Sequence, residues 1–394
     1  MTDPSVKRAR ITSIDLLRGL VMIIMALDHT RDFFHLDAWT RDPLDPETTS
    51  LALFFTRWIT HFCAPVFVFL AGASGYLQRA RKSSSELSLF LITRGLWLIM
   101  IEIVVINFAF SFDPGYHIIG LQTIWSIGIS MIILGLLCWL PVYILLPIGL
   151  IIVFGHNLLN FYEFKTEHFT VWYALLHRPG VYPLDESHSI FVFYPFLSWT
   201  GLMITGYCFG ILFRKFEGIK RKKLFVRLGI TITLFFIILR YLNVYGGPGL
   251  WTKEDSFMRT VFSFLNTQKY PPSLLYMCMT IGPAIVLLGL WDKARGKLVD
   301  VISVYGRVPF FYYILHFFLI HLLSMIAFLT RGHSFAEGIN KDPMLPNFIR
   351  PGEGYPLWTV YLVWAIIVIS LFPLCSWYDK YKRSHPERKW LSYL

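Results

Sequence analysis

The stretch SIDLLRGLVMIIMALDHTRDFF, residues 13–34, decides the fold class: its middle is unbroken aliphatic sequence, and ionisable residues crowd both ends. A bilayer crossing needs about 20 apolar residues at 1.5 Å rise each, and this stretch has that length. Ionisable groups at membrane depth are costly, so Asp15, Arg18, Asp28 and His29 predict a helix that faces a cavity or partner rather than lipid. From Arg18 to His29 the helix advances by about three turns plus 20°, or roughly 16 Å. The two therefore lie on one face, and Asp15 joins it one turn before Arg18.

The rest of the chain repeats the apolar half of this pattern. Of 394 residues, 55% are hydrophobic and 15% charged, which excludes an ordinary soluble globule. Apolar runs bounded by charge predict spans at 14–34, 51–78, 88–111, 118–138, 141–160, 189–213, 224–243, 271–291, 302–328 and 357–377. The expected fold is all-α: a polytopic helical bundle of about ten transmembrane helices, with residues 1–394 forming a single transmembrane domain. The net charge of +11 follows the same topology. With the N-terminus inside, the inner segments carry 21 basic residues, among them Lys7, Arg8, Arg10 and the run Lys220 to Lys223, against nine in the outer loops. The positive-inside rule then puts both termini in the cytoplasm and leaves no excess charge for a nucleic-acid partner. The five cysteines stand singly in apolar stretches and suggest neither disulfides nor a zinc site.

Two other spans carry polar groups. In the second, Arg57 lies near the outer surface and His61 one turn deeper, at a depth like that of His29; Pro65 is expected to bend or interrupt that helix. No third ligand has suggestive spacing, so no metal is expected. In the third span, Arg94 and Glu102 are spaced to pair on one face, and the ninth holds Arg307 at its inner end with His316 and His321 beyond, Pro309 marking a kink. The long outer loops mix carboxylates with Trp39, Trp172, Tyr173 and Trp251, a composition that suits a sugar and equally suits an interfacial aromatic belt.

In SIDLLRGLVMIIMALDHTRDFF (13–34), FTRWITHFCAPVFVFLAGASGYL (55–77), GLQTIWSIG (120–128), YPFLSWTGLMITGYCFG (194–210), KYPPSLLYMCMTIGPAIVLLGLWD (269–292) and YGRVPFFYYILHFFLIHLL (305–323), the chain resembles the heparan-alpha-glucosaminide N-acetyltransferase-like transmembrane acyltransferases. The spacing of Arg18 and His29 also resembles the signature of the wider acyltransferase-3 families, whose histidine is held to be catalytic. The resemblance implies transfer of an acetyl group from cytoplasmic acetyl-CoA to an acceptor on the far side. The lysosomal heparan enzymes have asparagine where His29 stands, a catalytic histidine further along the following loop, where this chain offers His35, and an acidic residue in place of His61. The base is thus open among His29, His35 and His61.

The expected function is a membrane acyltransferase moving an acyl group from acyl-CoA to an extracytoplasmic glycan or amino sugar. His29, oriented by Asp28 or Asp32, removes the acceptor proton; Arg18, Asp15 and Arg307 hold the donor's phosphate end. The expected setting is a bacterial inner membrane, with the lipid bilayer as partner and homodimerisation open. A secondary transporter or exporter of a small polar substrate is the alternative, since it too needs membrane-embedded charge.

Overall fold

The computed structural model describes residues 11–392 except 167 and 343, so Lys7, Arg8, Arg10 and Glu167 lie outside the described residues. The chain runs α1 (Thr12–Phe34), α2 (Leu51–Thr60), α3 (Cys63–Gln78), α4 (Ser84–Ile101), a π turn (Glu102–Ile106), α5 (Asn107–Ser111), β1 (Ile118–Leu121), α6 (Thr123–Leu137) and α7 (Val142–Gly155). Then come α8 (Leu159–Glu163), α9 (Val171–Leu176), β2 (Gly180–Pro183), β3 (Ser189–Val192), α10 (Phe196–Lys215) and α11 (Gly218–Leu242). The last helices are α12 (Phe257–Leu265), α13 (Leu274–Leu290), α14 (Lys297–Arg307), α15 (Pro309–Thr330) and α16 (Leu357–Ser384). Among the described residues, seven helical segments are long and apolar enough to cross a membrane, and Thr123–Leu137 and Leu274–Leu290 are shorter apolar helices. The protein is a mostly helical, polytopic membrane protein.

Close helix crossings are made by glycine. A Cβ on Gly19 would lie 2.0 Å from Ile302 O, and one on Gly306 would lie 1.8 Å from Asp15 O, so α1 and α14 touch backbone to backbone. Small residues provide such contact where lipid supplies no hydrophobic drive for helix association.

The elements depart from the sequence expectations at the strands and in the ninth span, whereas the second span is interrupted near Pro65 as expected. Residues 118–121 and 189–192, read as the starts of spans, are strands: β3 pairs parallel with β1 (Ile118 opposite Ser189) and antiparallel with β2. The second span breaks at His61 and Phe62, and Pro65 sits in the first turn of α3, where a missing N–H is tolerated. Proline at 65 cannot donate to His61 O; the Tyr276 hydroxyl donates to that carbonyl instead, at 2.7 Å. The ninth span is two helices, α14 and α15, parted at Val308 with Pro309 opening the second. Glu102 does not pair with Arg94: its Oε2 accepts the Trp125 N–H at 3.1 Å, satisfying one free donor at the start of α6.

Candidate active site

At the end of the bundle where the long loops gather, a cavity of about 550 Å³ opens between α1, the α2–α3 break, the β1–β3 edge and the loop between α12 and α13. Asp28, His29, Arg57 and His61 line it together with Trp39, Phe193, Tyr194, Lys269 and Tyr270. The ends of α1 and α2, which the sequence placed at one depth, thus meet on one space.

His29 is half-buried on this wall. Its Nδ1 lies 2.8 Å from His316 Nε2, and His316 Nδ1 lies 3.0 Å from Tyr312 O. A carbonyl only accepts, so the proton of a neutral His316 sits on Nδ1 and its Nε2 is an acceptor. His29 must then donate from Nδ1, which leaves its Nε2 as the lone-pair nitrogen. The two imidazoles stack with centroids 5.0 Å apart, and Phe317 packs at 4.1 Å from the His29 ring. The tautomer and orientation of His29 are thereby both fixed by α15.

Asp28 does not perform that task. Arg57 Nη1 donates to its two oxygens at 2.6 and 2.5 Å, and Arg31 Nη2 donates to Oδ1 at 3.2 Å. Lys269 Nζ stands 4.0 Å from Asp28 Oδ2. Asp32 accepts from Arg31 at 2.5 Å. These carboxylates neutralise arginines at the cavity wall, and the orienting partner expected of them is His316.

The remaining candidates separate. His61 is 1% exposed, and neither ring nitrogen has a hydrogen-bond partner among the described residues. His35 is not part of the cavity lining; it closes α1, its Nδ1 accepts the Asp37 N–H at 3.2 Å, and burial holds its imidazole below the ordinary range. At the opposite end of α1, Arg18 donates to Ser74 Oγ at 2.8 Å and lies 4.0 Å from Asp15, so the expected pair is present but bound into the α1–α3–α14 crossing. Arg307 donates to Asp379 at 2.9 Å and lies with Arg383 on that carboxylate.

A family model described as heparan-alpha-glucosaminide N-acetyltransferase, catalytic, matches residues 10–241, more than half of the chain. The chain belongs to this family. No sequence among curated proteins matches it. The matched region of this membrane acetyltransferase family holds Asp15, Arg18, Asp28, His29 and His61, whereas Lys269 and His316 lie beyond it. Of the two, His316 stands in the sequence as an imidazole in the ninth span, and Lys269 as the last basic residue of an outer loop, opening the stretch 269–292. Neither position said which partner it would meet.

Proposed function

We propose that the protein transfers an acyl group, acetyl in the simplest case, from acyl-CoA to the amino or hydroxyl group of an extracytoplasmic sugar or glycan, with His29 as the general base. The observation that carries this reading is the Tyr312 O, His316, His29 chain, which leaves an unprotonated Nε2 on a histidine that lines a cavity of about 550 Å³. Family membership supports acetyl transfer as the reaction class.

His29 Nε2 takes the proton of the acceptor X–H as X attacks the thioester carbonyl carbon, forming the X–C bond and a tetrahedral oxyanion. When the C=O bond reforms, the C–S bond breaks, its electron pair leaves with sulfur, and the proton on His29 passes to the thiolate. Throughout, Nδ1–H stays bonded to His316. The donor's thin arm is read as running along the α1 face, roughly 16 Å from Arg18 to His29. Asp15, Arg18 and Arg307 then serve the phosphate-bearing end. Aromatic rings at the cavity, Trp39, Phe193, Tyr194 and Tyr270, suit the faces of a sugar. Since the site draws on α1 and α15 alike, the chain is read as one catalytic domain. Basic-residue asymmetry supports a cytoplasmic donor and an acceptor on the far side of the membrane, and the family resemblance favours a bacterial inner membrane.

The test is purified protein in proteoliposomes, given radiolabelled acetyl-CoA on one side and a panel of amino sugars and neutral glycans on the other. Label appearing in an acceptor supports the reading. Transport of an unmodified sugar without acetyl-CoA consumption would favour the transporter.

A further inference from the structure

A base alone leaves the acyl-transfer step half served, because the former carbonyl oxygen becomes an anion inside the protein. We propose that Lys269 is the catalytic residue that receives this charge, its ammonium donating to the oxyanion of the tetrahedral intermediate; this rests on the acyl-transfer reading above.

The first support is charge arithmetic at the cavity wall. The buried and half-buried lining holds Asp28 and Asp32 against Arg31, Arg57 and Lys269. Arg57 is committed to Asp28, and Arg31 to Asp28 and Asp32. Asp42, the third carboxylate of the lining, is exposed and accepts the Leu44 N–H at 2.9 Å. Lys269 is left as the cation with no hydrogen-bonded carboxylate: it is 9% exposed, its closest carboxylate oxygen, on Asp28, is 4.0 Å away, outside hydrogen-bond range, and its other polar neighbour is the Tyr270 hydroxyl. A buried cation without a hydrogen-bonded anion is costly and needs a purpose.

The second support is preorganisation. An oxyanion stabiliser works because it is fixed before charge develops, so that no reorganisation is needed during reaction. Arg240, 2% exposed, donates to the carbonyls of Ser263 (2.9 Å), Phe264 (3.0 Å) and Asn266 (2.8 Å) and so locks the chain just ahead of Lys269. On the other side, Gln268 Nε2 donates to Tyr270 O at 2.9 Å and Ser273 N–H donates to Gln268 O at 3.0 Å, closing the turn. The ammonium lies 5.1 Å above the Tyr270 ring. Lys269 and the base His29 line the same cavity, so the ammonium and the reacting nitrogen serve one space.

An alternative use of the same charge is recognition of an acidic group on the acceptor, and kinetics separates the two. The experiment measures steady-state transfer from acetyl-CoA to glucosamine, or to whichever acceptor the panel identifies, for wild type, Lys269→Met and Lys269→Arg. Calorimetry gives CoA affinity, and thermal unfolding in detergent checks the fold. Loss of one oxyanion donor is expected to lower kcat of Lys269→Met by about 10²- to 10³-fold, with acceptor KM and CoA affinity little changed, and Lys269→Arg should recover part of the loss. A rise in acceptor KM with kcat intact would overturn the proposal in favour of acceptor recognition. Equal kcat in wild type and Lys269→Met would overturn it outright and leave the transferase reading standing. If Lys269→Met does not fold, full activity of Lys269→Gln has the same force. A wild type that turns over no acetyl-CoA refutes the transferase reading, and the role of Lys269 falls with it.

Discussion

Replacing His316 by phenylalanine removes the acceptor on which the tautomer of His29 depends. His316 is fully buried, stacked between His29 (centroids 5.0 Å) and Tyr312 (5.1 Å), and a six-membered ring preserves that packing. What is lost is the 2.8 Å bond to His29 Nδ1 and the 3.0 Å bond from His316 Nδ1 to Tyr312 O. An unsatisfied buried donor costs about 1–3 kcal/mol, and if that penalty is borne by the reacting geometry, kcat falls by roughly 5- to 150-fold. His316→Gln returns an acceptor oxygen and should recover much of the rate. CoA affinity, measured by calorimetry, should not move in either variant. Because His316 acts through His29, the double variant His29→Ala/His316→Phe should be no slower than His29→Ala alone. A further rate loss in the double variant, or wild-type kcat in His316→Phe, would refute the chain from Tyr312 O to His29.

Three other perturbations test the scaffold. Arg57→Leu strips Asp28 of its two shortest contacts, and leaving a buried carboxylate underpaired should cost about 3 kcal/mol, read as a lowered Tm in detergent that Arg57→Lys partly restores. Gly306→Ala puts a Cβ where Asp15 O stands 1.8 Å away, while Gly155→Ala meets nothing within 4 Å; the first should cost about 1–3 kcal/mol or more and the second should leave Tm near wild type. In the exposed turn before β3, the hydrogen bond to the Asp185 carboxylate raises the His188 pKa above the ordinary imidazole value, and the Ser187 N–H, with His188, lowers that of Asp185. A raised histidine pKa stabilises below about pH 6.5 and ceases to do so as pH climbs through the folded-state value, so hydrogen exchange at residues 184–189, corrected for its intrinsic pH dependence, should quicken with rising pH, and a flat profile would contradict the clasp.

The first span shows what sequence can and cannot yield. Helix periodicity put Arg18 and His29 on one face and charge put that face inward; in the structure Asp15 and Asp28 are buried while Arg18 and His29 are half-buried. The partner of His29 lies 287 positions away, on a helix whose start the sequence placed seven residues early because Pro309 reads as a kink as readily as a break. Proximity in the chain suggested Asp28 or Asp32 as the orienter. In space Arg31 of the same helix and Arg57 of α2 claim Asp28, and the contact with Arg57 is revealed only by the packing of α2 against α1. Residues 118–121 and 189–192 were misread for another reason: a four-residue apolar run fits either period, and their pairing joins segments about 70 residues apart.

The most direct test of the account is acetyl transfer by His29→Ala beside wild type, at matched CoA occupancy. Removing a general base should lower the rate by roughly 10²- to 10⁴-fold while CoA still binds, and His35→Ala should transfer at the wild-type rate. Transfer by His29→Ala at the wild-type rate, or loss confined to His35→Ala or His61→Ala, would contradict the assignment of His29 as the base.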